Sequence, residues 1–178
     1  MKGQPKFNIG DKVKFTLDNQ TYYGEVFIVD RFGTFEDPSD VSYDILVDNW
    51  GEKKEQCLFK HITEKLVQNL KIYISLPIAI DEKTVARRYC ESVKYIKNLE
   101  SLKNYEISGP INIDEFTDEG LTTPRDHDYA WYMGNDIEHL LRCDAIFMSK
   151  GWEKSPGCRC ELATAKIYNL KVIYQFNS

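Results

Sequence analysis

The feature that most constrains the fold of this chain is a change of hydrophobic period near residue 71. Before that point, apolar and polar residues alternate in short runs such as KVKFTL, separated by turns rich in Asp, Asn and Gly. After it, short apolar runs alternate with longer segments whose apolar residues recur every three or four positions. The first pattern predicts a small all-β domain over 1–66. The second predicts the order β-α-β-α-β-α-β over 71–178, and therefore a parallel sheet with right-handed crossovers.

The two patterns predict separate sets of elements. In the first domain we expect strands at 12–17, 22–30 and 43–48, with a short closing helix or turn at 61–67. In the second we expect strands at 71–77, 104–110, 143–149 and 171–176, and helices at 82–99, 127–143 and 158–169. The large apolar residues of the middle helix, from Tyr129 to Leu141, are predicted to share one face. The connection at 109–126 has no period, which is typical of a lid or binding loop, with a mobile surface insertion as the alternative.

Composition narrows the classes of function. The hydrophobic and charged fractions, 42% and 29%, are ordinary for globular proteins. The net charge is −5 and neither half is basic, so we expect no nucleic-acid partner. No apolar run is long enough to cross a membrane and the N-terminus lacks a signal-peptide core, so we expect no membrane partner. The five scattered cysteines favour reduced thiols and a cytoplasmic location.

The segment from Gly151 to Glu161 is the first candidate for chemistry. It follows the apolar run 143–149 and opens the helix-like run 161–170, so it predicts a strand, a tight turn and a helix. Ser155 is the expected N-cap and Pro156 the first helical residue. The N–H groups of such a helix start favour an anion, and Glu161 places a carboxylate nearby. The alternative is a glutamate that only interacts with the helix dipole.

Asp136 is the second candidate. It lies beside the apolar stripe of the helix expected at 127–143, at spacings of three and four from Met133 and Leu140. A desolvated carboxyl group has a raised pKa, which suits a general acid. The alternative is a surface aspartate at the edge of the stripe. Two carboxylates from neighbouring α/β units are the pair that glycosyl transfer uses, because one attacks the sugar and the other group protonates the leaving base.

Three segments resemble the nucleoside 2-deoxyribosyltransferase family, including its nucleotide N-glycosidase branch. KIYISLP resembles the first strand of that family. GNDIEHLLRCDAIFM resembles its helix-strand segment, with Asp136 eight residues before Asp144. SPGCRCELATA resembles its Gly-x-x-x-Glu helix start, here Gly157 to Glu161. Together the three segments span most of the second half of the chain.

The resemblance implies roles for individual residues. Glu161 would be the nucleophile, Asp136 would assist protonation of the leaving base, and Tyr73 would hydrogen-bond near the nucleophile. Ser75, in the same strand, is expected to contact the substrate. Ser155 stands where the nucleotide branch has a phosphate-binding serine, and Gly157 follows it at the helix start. The nucleoside branch has an aspartate at this position, and its carboxylate would repel a phosphate. A hydroxyl can bind a phosphate, so Ser155 favours a nucleoside monophosphate.

Other residues at the same helix start are open to two interpretations. Cys158 and Arg159 replace the small residues usual in the family, and Arg159 is either a phosphate partner or merely exposed. Trp152 is either a stacking wall for a base or a packing residue. Cys158-x-Cys160 lacks partners at metal-site spacing, and Asp126-His127-Asp128 has no supporting ligand cluster. We therefore expect no metal and no cofactor. Some relatives complete their site with a neighbouring subunit, so a homo-oligomer is left open.

A fold class and a leading function follow. The predicted fold class is α/β: a Rossmann-like (flavodoxin-like) parallel-sheet domain at 71–178, preceded by an all-β domain at 1–66. The opening FNIGDKV resembles the first turn of SH3-like small barrels. The expected activity is cleavage or transfer at the N-glycosidic bond of a nucleoside or its 5′-monophosphate. The alternatives are a dinucleotide glycohydrolase, a protein that sequesters nucleotides without turnover, and an SH3-like adaptor whose second half only docks.

Overall fold

The structure of the chain is a computed structural model that describes residues 4–32, 40–78, 82–110, 116–117, 120–121 and 128–176. The chain divides into two compact units, an N-terminal unit of residues 1–70 and a C-terminal unit of residues 71–178. The N-terminal unit holds an antiparallel sheet and the C-terminal unit a parallel sheet with helices. The chain is therefore a mixed α/β protein.

The N-terminal unit is a five-stranded antiparallel sheet in the order β4-β3-β2-β1-β5. Its strands are β1 (Lys12–Leu17), β2 (Gln20–Asp30), β3 (Ser42–Trp50), β4 (Glu55–Thr63) and β5 (Val67–Asn69). Val13 and Phe15, two residues apart, point the same way and join Val26, Tyr43 and Ile45 in the core. The β1–β2 turn uses Asp18 and Asn19, which both have positive φ, as tight two-residue hairpins require.

The end of the N-terminal unit differs from the expected closing helix or turn at 61–67. Strand β4 continues to Thr63, Glu64–Leu66 form a single 3-10 turn, and β5 then pairs with β1, with Val67 opposite Phe15. Strand β4 itself was not predicted. Its pairing with β3 shifts register twice, and His61 sits at a φ of 57°, so the strand lacks regular alternation.

The C-terminal unit contains a four-stranded parallel sheet in the order β11-β10-β6-β7. Its strands are β6 (Lys71–Ser75), β7 (Glu106–Ser108), β10 (Ala145–Met148) and β11 (Lys171–Tyr174). Its helices are α1 (Glu82–Asn98), α2 (Tyr129–Leu141) and α3 (Pro156–Ile167). The predicted order β-α-β-α-β-α-β and the parallel sheet are confirmed, with one addition: β8 (Phe116–Thr117) and β9 (Gly120–Leu121) form a short antiparallel pair.

Helices cover both faces of the parallel sheet. Tyr73, Ile146 and Met148 pack with residues of α2 and α3 on one face. On the other face, the ring of Tyr95 in α1 contacts the ring of Phe147. All four residues of β10 are fully buried, because a parallel strand between two helix layers has no solvent face.

Helix α2 buries less of its apolar surface than its sequence suggests. Leu140 is buried and Ile137 is half-buried against the core, but Tyr129 and Leu141 are exposed. The predicted apolar stripe is therefore buried only in part.

Two predictions fall largely or wholly on residues outside the described ranges. Most of the connection at 109–126 is of this kind, as are Asp126 and His127 of the weighed metal cluster. Within the described part of the chain, no group of three His, Cys, Asp or Glu side chains is arranged to hold a metal ion. Among the helices described there, none combines the length and apolarity needed to cross a membrane.

The strand order reverses direction at β6. From β6 the chain goes first to β7 on one side, then crosses to β10 on the other side. The connections that follow β6 and β10 therefore lead to opposite sides of this point in the sheet. Crevices at such points are where open α/β sheets bind ligands.

Candidate functional site

The turn after β10 leads to the start of α3, beside the point where the strand order reverses. Gly151 takes a φ of 88°, which only glycine adopts without strain, and residues Trp152–Lys154 form a 3-10 turn. Ser155 then caps α3 by accepting a hydrogen bond from the Cys158 N–H at 3.3 Å, and Pro156 follows as the first helical residue. The predicted N-cap and first helical residue are both confirmed.

Glu161 lies in the second turn of α3 and is buried, with 4% of its surface exposed. The Tyr73 hydroxyl donates to its Oε1 at 2.9 Å, and the Ser75 hydroxyl donates to its Oε2 at 2.5 Å. Tyr73 and Ser75 are two positions apart in β6, so both side chains project from the same face of the sheet toward α3. Each oxygen of the carboxylate therefore has one fixed donor, and its orientation is set by the sheet.

Burial and hydrogen bonding act on Glu161 in opposite directions. Removal from water raises the pKa of its carboxyl group, whereas the hydrogen bonds from Ser75 and Tyr73 lower that pKa. Burial is the larger effect, so the pKa lies above its ordinary value. The pKa of Tyr73 is also raised, first by burial and then by the charges of Glu161 and Asp136. Tyr73 therefore stays protonated and remains a donor to the carboxylate.

Asp136 belongs to the same cluster. It is half-buried on α2, and its charge acts on the Tyr73 hydroxyl together with that of Glu161. Tyr73 thus lies within the field of two carboxylates that come from two different helices. The structure brings together the three residues to which the sequence assigned catalytic roles.

Cys158 is a further member of this cluster. It lies three residues before Glu161, on the same side of α3, and is 2% exposed. Burial raises the pKa of its thiol, hydrogen bonding to Ser155 and Ser75 lowers it, and the Glu161 charge raises it. The thiol therefore stays protonated between the capping serine and the Ser75–Glu161 pair. From the sequence, Cys158 was a departure from the pattern of the family that the segment resembles and half of a Cys-x-Cys pair without metal-site partners. Its i, i+3 spacing from Glu161 could have indicated a shared face.

The remaining predicted contacts occupy different places. A Cβ added to Gly157 would lie 3.4 Å from both the Met133 Sδ and the Tyr129 hydroxyl, so α2 closely approaches the start of α3 there. Trp152 is half-buried and packs against the ring of Tyr174, with 5.7 Å between ring centroids. Arg159 is exposed in the first turn of α3. Trp152 therefore has a packing role, whereas the Arg159 side chain is accessible to solvent.

The geometry supports nucleophilic chemistry at one carboxylate. A buried carboxylate with two hydroxyl donors is desolvated yet oriented, and its remaining lone pairs can attack an electrophilic carbon. A second carboxyl group, Asp136, acts electrostatically on Tyr73, which donates a hydrogen bond to Glu161. Most enzymes that hydrolyse glycosidic bonds use two carboxyl groups as their catalytic residues.

The family of the chain is shown by its C-terminal unit. Residues 70–174, which are more than half of the 178 residues, match a family described as Domain of unknown function (DUF4406). No curated protein and no solved structure matches the chain. The matched range includes β6, α2 and α3, and therefore Tyr73, Asp136 and Glu161. The chain belongs to the DUF4406 family.

Proposed function

We propose that the C-terminal unit cleaves or transfers at the N-glycosidic bond of a nucleoside or nucleoside 5′-monophosphate, with Glu161 as the nucleophile. The observation that carries this proposal is the buried Glu161 carboxylate with one hydroxyl donor on each oxygen. Its position at the carboxyl edge of a parallel sheet, where such folds bind ligands, supports the same activity. The three segments that resemble nucleoside 2-deoxyribosyltransferases add support that is independent of the geometry.

The proposed reaction has two steps. In the first, an Oε atom of Glu161 attacks C1′ of the sugar, the bond between C1′ and the base nitrogen breaks, and its electron pair leaves with the base. Asp136 delivers a proton to that base. In the second, water or another base attacks C1′, releases Glu161 and returns a proton to Asp136. Tyr73 and Ser75 hold the attacking carboxylate in place during both steps.

The start of α3 supports a phosphate-bearing substrate. Ser155 presents a hydroxyl beside the first N–H groups of the helix, where the helix dipole favours negative charge. Arg159, exposed in the first turn, adds a positive charge to the same end of the helix. Both features favour a nucleoside 5′-monophosphate over an uncharged nucleoside.

We also propose finer fold assignments. The C-terminal strand order, numbered within that sheet, is 2-1-3-4, which supports a flavodoxin-like relative of the Rossmann folds. For the N-terminal unit, five short antiparallel strands around one apolar core support an SH3-like small barrel.

The proposed activity is tested by incubating the full chain with a panel of nucleosides, their 5′-monophosphates and a nicotinamide dinucleotide. Free base is measured by chromatography. We expect base release from at least one nucleoside or monophosphate. Release from the dinucleotide alone would favour the glycohydrolase alternative, and tight binding without any release would favour a sequestering protein.

Glu161→Gln is the decisive variant. It removes the nucleophile but keeps the shape of the side chain, so we expect base release to fall by at least about a thousandfold while the fold is retained. Glu153→Gln is the matched control, because Glu153 is an exposed glutamate in the turn that precedes α3. An active Glu161→Gln protein would refute the mechanism.

A further inference from the structure

Ser149 is a buried serine that lies immediately after β10 and contacts the end of β6. Its backbone N–H and its hydroxyl both donate to the Ser75 carbonyl oxygen, each at 2.9 Å. Its own carbonyl accepts from the Trp152 N–H at 3.2 Å, at the start of the 3-10 turn that leads to α3. Ser149 is therefore joined both to the residue that holds Glu161 and to the turn that precedes the helix of Glu161.

The Ser149 hydroxyl adds a hydrogen bond to the one that the Ser149 backbone makes with Ser75. The N–H of Ser149 continues the parallel ladder, in which Met148 pairs with Ser75. Its hydroxyl adds a second donor to the same carbonyl. Two donors fix the orientation of the peptide plane that follows Ser75. A single ladder hydrogen bond would leave that plane more freedom to rotate. Because the Ser75 hydroxyl donates to Glu161 Oε2, a rotation of Ser75 would weaken that hydrogen bond.

We propose that Ser149 is a positioning residue, which acts through Ser75 to hold the Glu161 carboxylate in its reactive orientation. The expected effect of Ser149 on turnover rests on the proposed function. The expected effect on the pKa of Glu161 does not, because the ionisation of that carboxyl group can be followed without any substrate. Ser149 is only 2% exposed and its hydroxyl donates to the Ser75 carbonyl oxygen, so it acts through Ser75 and not on the substrate.

The pKa of Glu161 depends on the polar groups that surround its carboxyl group. From β6 these are Tyr73 and Ser75. In α3 the Glu161 charge acts on Cys158, whose thiol stays protonated. Asp136 on α2 acts on Tyr73. Only the Ser75 hydrogen bond is expected to change when the Ser149 hydroxyl is removed. Because that bond stabilises the ionised form, its weakening raises the pKa of Glu161.

The test is a titration of Glu161 in the full chain, followed through its side-chain carboxyl carbon by NMR and assigned by its absence in Glu161→Gln. Ser149→Ala removes one oxygen and leaves both backbone hydrogen bonds. We expect its Glu161 midpoint to rise by about half a pH unit, and Ser149→Thr, which keeps the hydroxyl, to stay near the wild type. At a pH below the midpoint, base release should then fall roughly threefold in Ser149→Ala.

The matched controls are Ser75→Ala and Ser92→Ala. Ser75→Ala removes the donor itself and should raise the midpoint more than Ser149→Ala. Ser92 is a buried serine of α1, so Ser92→Ala should affect stability without moving the midpoint. Equal Glu161 midpoints in Ser149→Ala and the wild type would overturn the inference. If Ser149→Ala does not fold, Ser149→Cys, a weaker donor of similar size, is judged by the same criterion. Absence of base release from every substrate would instead refute the proposed function and leave this titration interpretable.

Discussion

At the scale of single residues, burial of the Glu161 carboxylate serves the proposed chemistry but lowers the stability of the fold when the group is ionised. Its carboxyl group is buried, and burial raises its pKa above the ordinary 4.5. In the unfolded chain the same group is in water and ionises near that ordinary value. Folding therefore holds the proton more tightly than unfolding does. The contribution to stability is fully present below the unfolded pKa and is lost as the pH rises through the folded pKa.

This linkage predicts that Glu161→Gln is more stable than the wild type at neutral to alkaline pH. The glutamine is neutral at every pH, so the cost of burying an ionised group disappears. Its amide can donate to one of the two hydroxyls, because a hydroxyl also accepts. Thermal unfolding at pH 8 should give a higher midpoint for Glu161→Gln, and the difference should shrink as the pH falls toward 4.

Glu153→Gln is again the control, because an exposed glutamate should show no such pH-dependent difference. A variant that is less stable than the wild type at pH 8 would mean that the two hydroxyl donors outweigh burial. The nucleophile would then be stabilised by its site rather than destabilised.

At the scale of elements, the start of α3 combines a structural role with the proposed phosphate contact, and both depend on Ser155. Ser155→Ala loses the cap, so it should cost about 0.5–2 kcal/mol of stability in chemical denaturation. Ser155→Asp keeps a good cap but introduces a negative charge. We expect it to retain stability while the KM for a monophosphate rises relative to that for the matching nucleoside.

The two variants separate capping from recognition. If Ser155→Asp leaves the KM ratio of monophosphate to nucleoside unchanged, the phosphate does not bind at the start of α3, and the side chain only caps the helix. The proposed role of Glu161 as the nucleophile is unaffected by either result, because it rests on the hydrogen bonds from Tyr73 and Ser75 in β6.

Two glycines in regular elements should respond oppositely to substitution by alanine. At Gly24 in β2, a Cβ would lie 2.6 Å from both the Ile45 Cγ2 and the Leu46 carbonyl oxygen of β3, and the backbone oxygen cannot easily move away. Gly24→Ala should therefore destabilise the protein by about 1–3 kcal/mol in chemical denaturation.

Gly134 in α2 is the matched comparison. Among the residues that the structure describes, none outside this turn of α2 has an atom within 4 Å of a Cβ placed there, and alanine is the better helix former. Gly134→Ala should stabilise the protein by about 0.5–1 kcal/mol. If both variants were neutral, neither the close approach of β3 to Gly24 nor the open surface at Gly134 would be correct.

At the scale of the whole molecule, the chain consists of two units whose boundary lies at Leu70. Strand β5 belongs to the N-terminal unit, because it pairs with β1. Strand β6 begins at Lys71, whose N–H donates to Asp144 Oδ2 and whose carbonyl accepts from the Asp144 N–H. A cut between β5 and β6 therefore breaks no strand pairing of either unit.

We expect a fragment of residues 70–178 to fold and to keep its base release, since every residue assigned to the mechanism lies within it. The measurement is base release per folded protein, with circular dichroism as the check on folding. A fragment of residues 67–178, which carries an unpaired β5, should be less soluble. Loss of activity in a folded 70–178 fragment would show that the N-terminal unit contributes to the site or to assembly.

Local chemistry explains which parts of this protein could be predicted from sequence. The strands and helices of the C-terminal unit followed from apolar period, and the start of α3 followed from Ser155 and Pro156, because caps depend on neighbours within four residues. Strand β4 escaped prediction because its register shifts and the positive φ of His61 interrupt its alternation. The exposure of Tyr129 escaped because a periodic stripe does not say how wide the contact will be.

The sequence by itself determined the alternation of strands and helices that forms the parallel sheet, the position of Glu161 in the second turn of a capped helix, and the resemblance that linked Tyr73, Asp136 and Glu161. Only the tertiary structure decided that Tyr73 and Ser75, 88 and 86 residues away, each donate to one oxygen of Glu161. It also decided that Ser149 anchors Ser75. The physical reason is that strand order and register bring distant residues together through the packing of whole elements, whereas periodicity and capping act only between neighbours in the chain.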